Sequence, residues 1–515
     1  MIRGLRRTRS RQLRPSLTRT LSTGICHDFR DRGTCRFGDA CRFTHANPFR
    51  GKKAQSSAAR LNETLRSARP SKVLAAWDAS KGRDAVWNGV NVATALLSLS
   101  SARSAPHRKR VRSTKAYREM VQTVAKRAAK TLASATAEVE HGAAHFFGPR
   151  ELASVARSVA TLGVPPHRDH PPSSGRSGGR ATNSERHRVF AALASGGCWY
   201  ASEMELIDLT KLAWSFATAR VDSPSLFSAI ARAATPRVGE LDGRQLSMLA
   251  WGFAQSGRGG RHPGGESEGE GEVSAHTLLS AVGEAATQPE TLRETSARDL
   301  ATTAWSLAIA DAQHHAPAIA AAWAAVFDEG TASKLSWEEW TMMRQVQLAF
   351  DLGGAHGSAS AVLADVPLST QRQNAHTIER AWNEPLADSG RPSHAQREVS
   401  LSLRALGWSH TEELVVDEAL GALDMGSQFE RVGVEFDGPT HFLENVESGG
   451  GGGSGGASSE RSVGPTLFKH RALKSLGWRC ARVHYAEWLE AKAMGPGAAD
   501  DLLVRKMESV GVRLR

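Results

Sequence analysis

The fold is decided by three similar stretches, LTKLAWSFAT at 209–218, LSMLAWGFAQ at 246–255 and LATTAWSLAI at 300–309. The tryptophans of the first two, Trp214 and Trp251, are 37 residues apart. Trp305 follows Trp251 by 54 residues, of which 17 belong to an insert rich in Gly, Glu and Ser at 257–273. Without that insert the spacing is again 37 residues, so the middle of the chain is a repeat.

The repeat extends beyond these three copies. LASVARSVAT at 152–161 has the same pattern with Arg157 at the tryptophan position, and a second insert, 164–183, separates it from the next copy. More degenerate copies occur at 92–101 and 344–353. We expect both inserts to be disordered, because surface connections tolerate extra length at a small entropic cost.

A second helical pattern follows each copy, as at 225–234, 277–286 and 318–327. Apolar residues recur at i, i+3, i+4 and i+7 in both patterns, which is typical of amphipathic helices. Pairs of helices at a period near 37 residues predict an α-solenoid, in which stacked neighbours bury a continuous core. We therefore expect the repeated tryptophans to lie in that core.

The repeated AW-S/G-F/L-A motif resembles the octotricopeptide and FAST-kinase-like repeats of organellar RNA-binding proteins. The resemblance covers residues 71–355. It implies that the helical pairs bind single-stranded RNA along an extended surface. If the repeats occupy residues 71–355, the segments on either side of them, 48–70 and 356–392, are linkers.

A metal site is predicted near the start of the chain. Cys26, Cys35, Cys41 and His45 follow the spacing C-x8-C-x5-C-x3-H. Three thiolates and one imidazole form a closed tetrahedral zinc site, and a segment as short as 24–47 needs the metal to fold. The cofactor expected here is Zn²⁺.

Aromatic and basic residues alternate between these ligands, with Arg36 before Phe37 and Arg42 before Phe43. Aromatic faces stack on bases and guanidinium groups bind phosphates, so these four residues are candidate RNA contacts; one Phe can instead cover the zinc site. The segment resembles the CCCH zinc fingers of the tristetraprolin type. It lacks their usual lead-in and is a single finger, departures that argue against strong sequence specificity.

The basic character of the chain is concentrated at its N-terminus. Residues 1–60 hold 15 Lys and Arg against 3 Asp and Glu, whereas the remaining 455 residues hold 50 of each. Such a block predicts a polyanionic partner. No apolar run approaches the ~20 residues needed to cross a bilayer, so no membrane partner is expected. The two cysteines outside the finger form no framework of pairs, which favours a reducing compartment.

Two segments bear on localisation. Residues 1–22 contain seven arginines, several Ser and Thr and no acidic residue. This composition is typical of an organelle transit peptide, for the mitochondrial matrix or the chloroplast, and equally of a disordered basic arm that contacts RNA. The sequence RKRVR at 108–112 leaves a nuclear location open, or a solvated insert.

The C-terminal part, residues 393–515, alternates helical and strand patterns. We expect a helix at 394–406, strands near 413–420 and 432–442, a helix at 468–478 and a strand continuing into a helix at 479–491. A Gly/Ser insertion at 448–459 interrupts them. The pattern resembles the RAP domain, and the residues that carry the resemblance are Val434-Glu435-Phe436-Asp437-Gly438-Pro439, His441-Phe442, Lys469, Leu473, Gly477-Trp478 and Trp488.

This resemblance implies an RNA-associated α/β fold related to restriction endonucleases, with His441 and Lys469 as candidate RNA contacts. In nucleases of that fold, carboxylates on adjacent strands hold Mg²⁺, which activates water. Asp417 and Glu435 are candidates for such a pair, with Asp437 or His441 nearby and Glu398 on the preceding helix. In those nucleases the motif E-x-K ends in a lysine. Asp437 occupies that position here, and Lys469 of the next helix is a candidate replacement.

The predicted fold class is thus mainly α: a helical-repeat α-solenoid followed by a small α/β RAP domain, plus a small zinc finger. We expect a non-catalytic organellar protein that binds mRNA or ribosomal RNA within a ribonucleoprotein complex. Its expected roles are RNA processing, transcript stability or ribosomal RNA maturation. Two alternatives stay open: a Mg²⁺-dependent RNA endonuclease, and a nuclear or cytoplasmic CCCH regulator of mRNA.

Overall fold

The fold is taken from a computed structural model. It describes residues 22–25, 43–44, 52–80, 87–102, 104–136, 147–164, 180–260, 270–312, 314–327, 335–352, 392–417, 420–447 and 460–514. The four predicted zinc ligands and the finger residues Arg36, Phe37 and Arg42 lie outside the described residues. So do nearly all of the predicted linker 356–392 and the Gly/Ser insertion 448–459.

Helices dominate the described residues. Those before the C-terminal part are α1 (Lys52–Ser67), α2 (Pro70–Ser80), α3 (Gly89–Ser100), α4 (Ala105–Arg112), α5 (Lys115–Thr136), α6 (Pro149–Leu162), α7 (Arg180–Tyr200), α8 (Leu206–Ala219), α9 (Pro224–Ala234), α10 (Gly243–Gln255), α11 (Glu270–Ala286), α12 (Pro289–Glu294), α13 (Ala297–Asp311), α14 (Ala316–Val326) and α15 (Trp337–Leu352). Across the part of the chain that is described, no helix has both the length and the apolar character that a bilayer crossing requires.

These helices form two layers, which we call the helical array. In the first layer α1, α3, α6, α8, α10, α13 and α15 pack in succession, and in the second α2, α5, α7, α9, α11 and α14 do the same. The predicted copies at 209–218, 246–255 and 300–309 are α8, α10 and α13. The chain is therefore an α-solenoid of helical pairs, as its period of 37 residues predicts.

Local sequence explains how each pair begins and packs. Pro224 starts α9 behind Ser223, whose hydroxyl accepts the backbone N–H of Leu226, and Asp242 with Gln245 forms a capping box at the start of α10. Gly252 lets α10 lie against α8, since a Cβ there would come within 2.9 Å of a backbone carbon. Across the layers, edge-to-face aromatic pairs repeat with ring centroids 5.1 Å apart, between Phe190 and Phe216 and between Phe227 and Phe253.

Three sequence predictions need correction. Residues 48–70 were expected to be a linker, but they contain α1, which packs on α3 and buries Leu65 completely. The inserts at 164–183 and 257–273 were expected to be disordered throughout, but α7 begins at Arg180, α11 begins at Glu270, and Arg258 is buried. The repeated tryptophans were expected in the core; Trp305 is buried there, whereas the other two are partly exposed.

The described residues from 392 to 514 form the C-terminal unit. It comprises α16 (His394–Ala405), β4 (Thr411–Asp417), β5 (Gly421–Ser427), β6 (Val432–Asp437), β7 (Phe442–Asn445), β8 (Arg461–Ser462), α17 (Gly464–Ser475), β9 (Arg479–His484), α18 (Tyr485–Met494) and α19 (Pro496–Ser509). Its four-stranded sheet has the order β4-β5-β6-β9, with β6 and β9 parallel and the other pairs antiparallel.

The two faces of this sheet pack against two different hydrophobic cores. On one face, Val434 of β6 belongs to a core with apolar residues of α16, α18 and α19. On the other face lies α17, whose Phe468 and Leu473 belong to the same continuous core as the helical array. On the α17 side, the apolar residues of the C-terminal unit are therefore buried only by packing against the helical array.

A short strand joins the two parts. β3 (Val221–Asp222), between α8 and α9, pairs in parallel with β7, and β7 in turn pairs with β8. Arg220 precedes β3 with φ of 54°, a left-handed conformation that turns the chain out of α8 into this strand. The C-terminal unit is thus joined to the helical array by backbone hydrogen bonds as well as by a shared core.

Candidate nucleic-acid interface

Alternation along β6 separates apolar from acidic side chains. Val434 belongs to the core shared with α16, α18 and α19, and Phe436 packs against that core. Glu435 and Asp437 therefore point to the opposite face of the sheet, beneath α17, because successive strand residues point to opposite sides. Both carboxylates are nearly excluded from solvent, with exposed fractions of 3% and 1%. A buried charge of this kind requires a partner.

Glu435 is paired with Lys469 of α17. The Lys469 Nζ lies 2.9 Å from one carboxylate oxygen and 3.1 Å from the other, and it also donates to the Ala422 carbonyl at 2.7 Å. The sequence expectation that Lys469 approaches Glu435 from the following helix agrees with this geometry. With only 17% of its side chain exposed, Lys469 neutralises a buried carboxylate.

Asp424 of β5 lies close to this pair. Its carboxylate accepts the backbone N–H of Phe436 at 2.7 Å, where the β5–β6 pairing has ended at Met425 and Val434. Burial raises the pKa of Asp424 well above its usual range, and the neighbouring Glu435 charge raises it further. Lys469 thus lies close to two acids, and the surroundings of Asp424 favour its neutral form. Sequence reasoning missed Asp424, which no motif marks.

Asp437 is paired differently. Arg482, on the parallel neighbour β9, donates its Nε–H to Asp437 at 2.6 Å, and its Nη2 donates to Ser462. His441, in the turn after β6, lies with Nδ1 3.6 Å from Asp437 and 3.2 Å from the Thr466 hydroxyl. The side chains of His441 and Arg482 are 36% and 35% exposed, so solvent reaches both partners of the buried Asp437.

The surroundings of these acids favour neutral groups. Burial, followed by the positive charge of Arg482, lowers the pKa of His470 to about 3. Burial, followed by the charge of Glu435, raises the pKa of the Cys480 thiol to about 12. Neither side chain carries a charge near neutral pH. The acids of β6 are therefore balanced by Lys469 and Arg482 themselves.

The other nuclease candidates lie elsewhere. Asp417 was expected to pair with Glu435 from an adjacent strand, but β5 lies between β4 and β6. Asp417, at the end of β4, is instead 3.4 Å from the Arg344 guanidinium on α15. Glu398, expected near the acids, projects from α16 on the opposite side of the sheet and pairs with Lys492 of α18 at 2.5 Å. That expectation is wrong because α16 packs on the Val434 face. The described residues gather no group of three or more His, Cys, Asp or Glu side chains arranged to hold a metal ion.

The joint between the two parts is a second polar cluster, which the sequence did not reveal. Asp222 of β3 forms an ion pair with Arg258, and the two side chains are only 4% and 2% exposed. Arg461 of β8 approaches the other Asp222 oxygen at 3.6 Å. Beside them Arg186 of α7 donates to Glu444 of β7 at 2.7 Å. Residues far apart in sequence thus fix the C-terminal unit against the helical array.

A ladder of partly exposed side chains crosses three first-layer helices. The rings of Trp214 and Trp251, on α8 and α10, have centroids 6.4 Å apart and are tilted by 34°. The Arg157 guanidinium of α6 lies over the Trp214 ring, 6.0 Å from its centroid. A cation and two aromatic faces in a row are the elements that bind phosphates and stack on bases.

Near the predicted finger only two short strands are described. β1 (Ser22–Ile25) pairs in parallel with β2 (Phe43–Thr44), and Ile25 is opposite Thr44. These two residues directly precede Cys26 and His45 in the sequence. The pairing brings together the chain segments that lead into the first and last predicted ligands, as a shared zinc site requires. Of the predicted finger contacts, only the backbone of Phe43 is described.

Comparison with protein families identifies both terminal modules. A model described as the RAP domain matches residues 434–494. One described as the zinc finger of the C-x8-C-x5-C-x3-H type (and similar) matches residues 22–46. No curated protein matched the chain. The two matches confirm the predicted RAP domain and CCCH finger; they suggest zinc binding and are consistent with a role in binding nucleic acid.

Proposed function

We propose that this protein is a non-catalytic RNA-binding factor of an organelle, related to the octotricopeptide and FAST-kinase-like proteins. The observation that carries the proposal is the joint. The RAP domain shares a core, a sheet edge and the buried Asp222–Arg258 pair with the helical array. In this proposal, the array and the domain bind a single strand of RNA together.

The chemistry of the acids supports a binding role. Glu435 and Asp437 are nearly buried and already paired with Lys469 and Arg482. Their charges hold the β6–α17 contact together. In this proposal the Arg157–Trp214–Trp251 ladder stacks bases, and the zinc finger holds a further part of the strand. RNA processing, transcript stability and ribosomal RNA maturation within a ribonucleoprotein complex all fit such a factor.

An RNA-binding titration with matched variants tests the ladder. A fluorescently labelled single-stranded RNA is titrated with zinc-loaded full-length protein over a range of salt concentrations. Trp214→Ala and Trp251→Ala are each expected to weaken binding by about 1–3 kcal/mol, the value of one base–aromatic stack, with little change in the salt dependence. Trp199, 50% exposed on α7 and outside the ladder, supplies the control variant Trp199→Ala.

Two results would overturn the proposal. One is a wild-type protein that binds no RNA at low salt. The other is an equal loss in all three tryptophan variants, which would indicate a general effect of truncating tryptophan and no role for the ladder.

The organellar location rests on the arginine-rich residues 1–22. Full-length protein is expected to enter mitochondria or plastids, and a variant without residues 1–22 is expected to remain outside them. An unchanged distribution would instead favour the nuclear or cytoplasmic mRNA regulator, with RKRVR at 108–112 as its nuclear localisation signal.

A second candidate function, RNA cleavage, is favoured by one observation. Glu435 and Asp437 of β6 and Lys469 of α17 lie on the same side of the sheet, as the residues of a metal-dependent nuclease would. This hypothesis predicts Mg²⁺-dependent cleavage that is lost in Glu435→Gln and in Asp437→Asn, compared at equal folded fractions. Cleavage that persists in both variants would have to come from a contaminating nuclease.

A further inference from the structure

A cavity of about 680 Å³ lies between the helical array and the RAP domain. On the array side it is bordered by the carboxyl ends of α10 and α13, at Ala254 and Ile309. On the other side it is bordered by α17, β9 and the segment that follows α19. Its volume is within the range of small-molecule sites, about 300–1,000 Å³, and it is formed only because the two parts are joined.

The charges around this cavity have one sign. Its described lining includes no Asp or Glu, and it contains His470 and five Arg or Lys residues: Arg258, Arg471, Lys474, Arg479 and Arg482. Two of these cations are balanced by acids beneath the surface, Arg258 by Asp222 and Arg482 by Asp437. Of the other three, Arg471 lies near enough to Asp311 for that carboxylate to favour its charge. Among the described residues, Lys474 and Arg479 have no carboxylate within ion-pair distance.

Helix ends balance part of the remaining charge. Arg471 donates to the Ile309 carbonyl near the end of α13, and Arg479 donates to the Val510 carbonyl just beyond α19. Each helix carboxyl end carries roughly half a negative charge, so the ends of α10, α13 and α19 together with Asp311 supply about −2.5 against +3. The cavity keeps a surplus of about half a positive charge, and Lys474 is the exposed cation at its surface.

Capping of helix ends alone does not account for this arrangement. Lys474 is exposed at the cavity and has no partner among the described residues. Arg471 is largely buried, and burial lowers its pKa even though the nearby charge of Asp311 acts in the opposite direction, so its charge is held in the wall at a free-energy cost. A cost of this kind is recovered when an anion binds.

The walls also contain a substantial apolar part. Leu467, Ile309, Trp478 and Val510 line the same space. Inorganic phosphate would use the cations and leave these side chains without contact. A nucleotide matches both characters, since its phosphate is a dianion and its sugar and base are larger and partly apolar.

We propose that this cavity binds a terminal nucleotide of an RNA strand through its phosphate monoester, with Lys474 and Arg471 as the phosphate-binding residues. The inference rests on the proposed RNA-binding function and specifies which part of the RNA enters the cavity. A terminal phosphate monoester carries up to two negative charges and an internal phosphodiester carries one. The surplus charge of the cavity therefore favours a phosphorylated strand end.

The test compares three single-stranded RNAs of identical sequence, with a 5′ phosphate, with a 3′ phosphate, or with hydroxyl groups at both ends. Full-length protein is expected to bind one phosphorylated RNA at least about tenfold more tightly than the hydroxyl RNA, as one or two charge-assisted hydrogen bonds provide. Lys474→Glu is expected to reduce this preference to about twofold or less. Arg505→Glu makes the same charge change at an exposed position of α19 outside the cavity and should keep the preference. Arg471→Gln, with its folding checked by circular dichroism, is the second cavity variant.

A parallel titration with adenosine monophosphate and adenosine separates failure of this inference from failure of the proposed function. Equal binding of all three RNAs would overturn the inference and leave RNA binding intact. If no RNA bound while adenosine monophosphate bound through Lys474, the RNA assignment would fail and a free nucleotide would be the ligand. Loss of preference in Arg505→Glu as well would refute the assignment to this cavity.

Discussion

Replacement of Glu435 by glutamine removes one charge from a nearly buried ion pair. The Glu435 and Lys469 side chains are 4% and 17% exposed, and breaking a buried pair typically costs about 3–5 kcal/mol of unfolding free energy. Asp424 offsets part of this loss. Its pKa is raised by burial and then by the Glu435 charge, so the pKa falls when that charge is removed, and Asp424 can ionise beside Lys469. We therefore expect a loss near the lower limit, about 3 kcal/mol.

Asp424→Asn supplies the matched comparison. Because asparagine resembles a neutral carboxyl group, this variant should change stability by less than about 1 kcal/mol at neutral pH. Combining it with Glu435→Gln removes the substitute charge, and the double variant should be less stable than Glu435→Gln alone. Stability is measured in full-length protein by urea-dependent labelling of the Cys480 thiol, located by peptide mass spectrometry. A loss below about 1 kcal/mol, or a double variant as stable as Glu435→Gln, would refute a structural role for the pair.

Three further predictions concern the joint, its pH dependence and the finger. Asp222→Asn should lower the unfolding free energy by about 3–5 kcal/mol, because it leaves the Arg258 charge without its partner in a buried site. Glu240→Gln, in an exposed ion pair, should lower it by less than about 1 kcal/mol. Urea denaturation measures both changes. Since the pKa of His470 is about 3 in the folded chain against 6.5 as its ordinary value, the unfolded chain binds the extra proton between these limits. Stability from neutral His470 is complete above about pH 6.5 and is lost toward pH 3 at about 1.4 kcal/mol per pH unit. In denaturation curves taken between pH 4 and 7, His470→Gln should reduce the slope by up to this amount and leave the part that comes from His315, whose pKa burial also lowers. Cys35→Ser should reduce the zinc content of purified protein by one equivalent, measured by atomic absorption, because the closed site loses one of its four ligands; an unchanged content would exclude Cys35 as a ligand.

The sequence predicted those elements whose pattern is local. The 37-residue period located both layers of the array, because each helix carries its own apolar stripe and its own capping residues. It failed for α1, whose sequence KKAQSSAARLNETLRS has few apolar residues. That helix is held by its contact with α3, which depends on the packing of distant residues and not on local pattern.

The candidate site was predictable to the same extent. Alternation along β6 places Glu435 and Asp437 together, and the order of the elements brings Lys469 above them. The partners of Asp417 and Glu398 were not predictable, because they depend on which helix covers which face of the sheet. Arg344 reaches Asp417 from 73 residues away, across the joint. The joint itself begins with a strand of two residues, too short to leave a sequence signal.

Helix α17 connects the separate parts of the interface. Successive residues of an α-helix point about 100° apart, so Lys469, His470 and Arg471 face three directions. Lys469 pairs with Glu435 below the helix, His470 borders the cavity, and Arg471 binds the end of α13. Phe468 meanwhile packs into the core of the array. A strand end bound in the cavity would therefore contact a helix whose position depends on the β6 acids and on the repeats together. This is why we expect changes at Glu435 to alter RNA-end preference even though its carboxylate is buried away from the cavity.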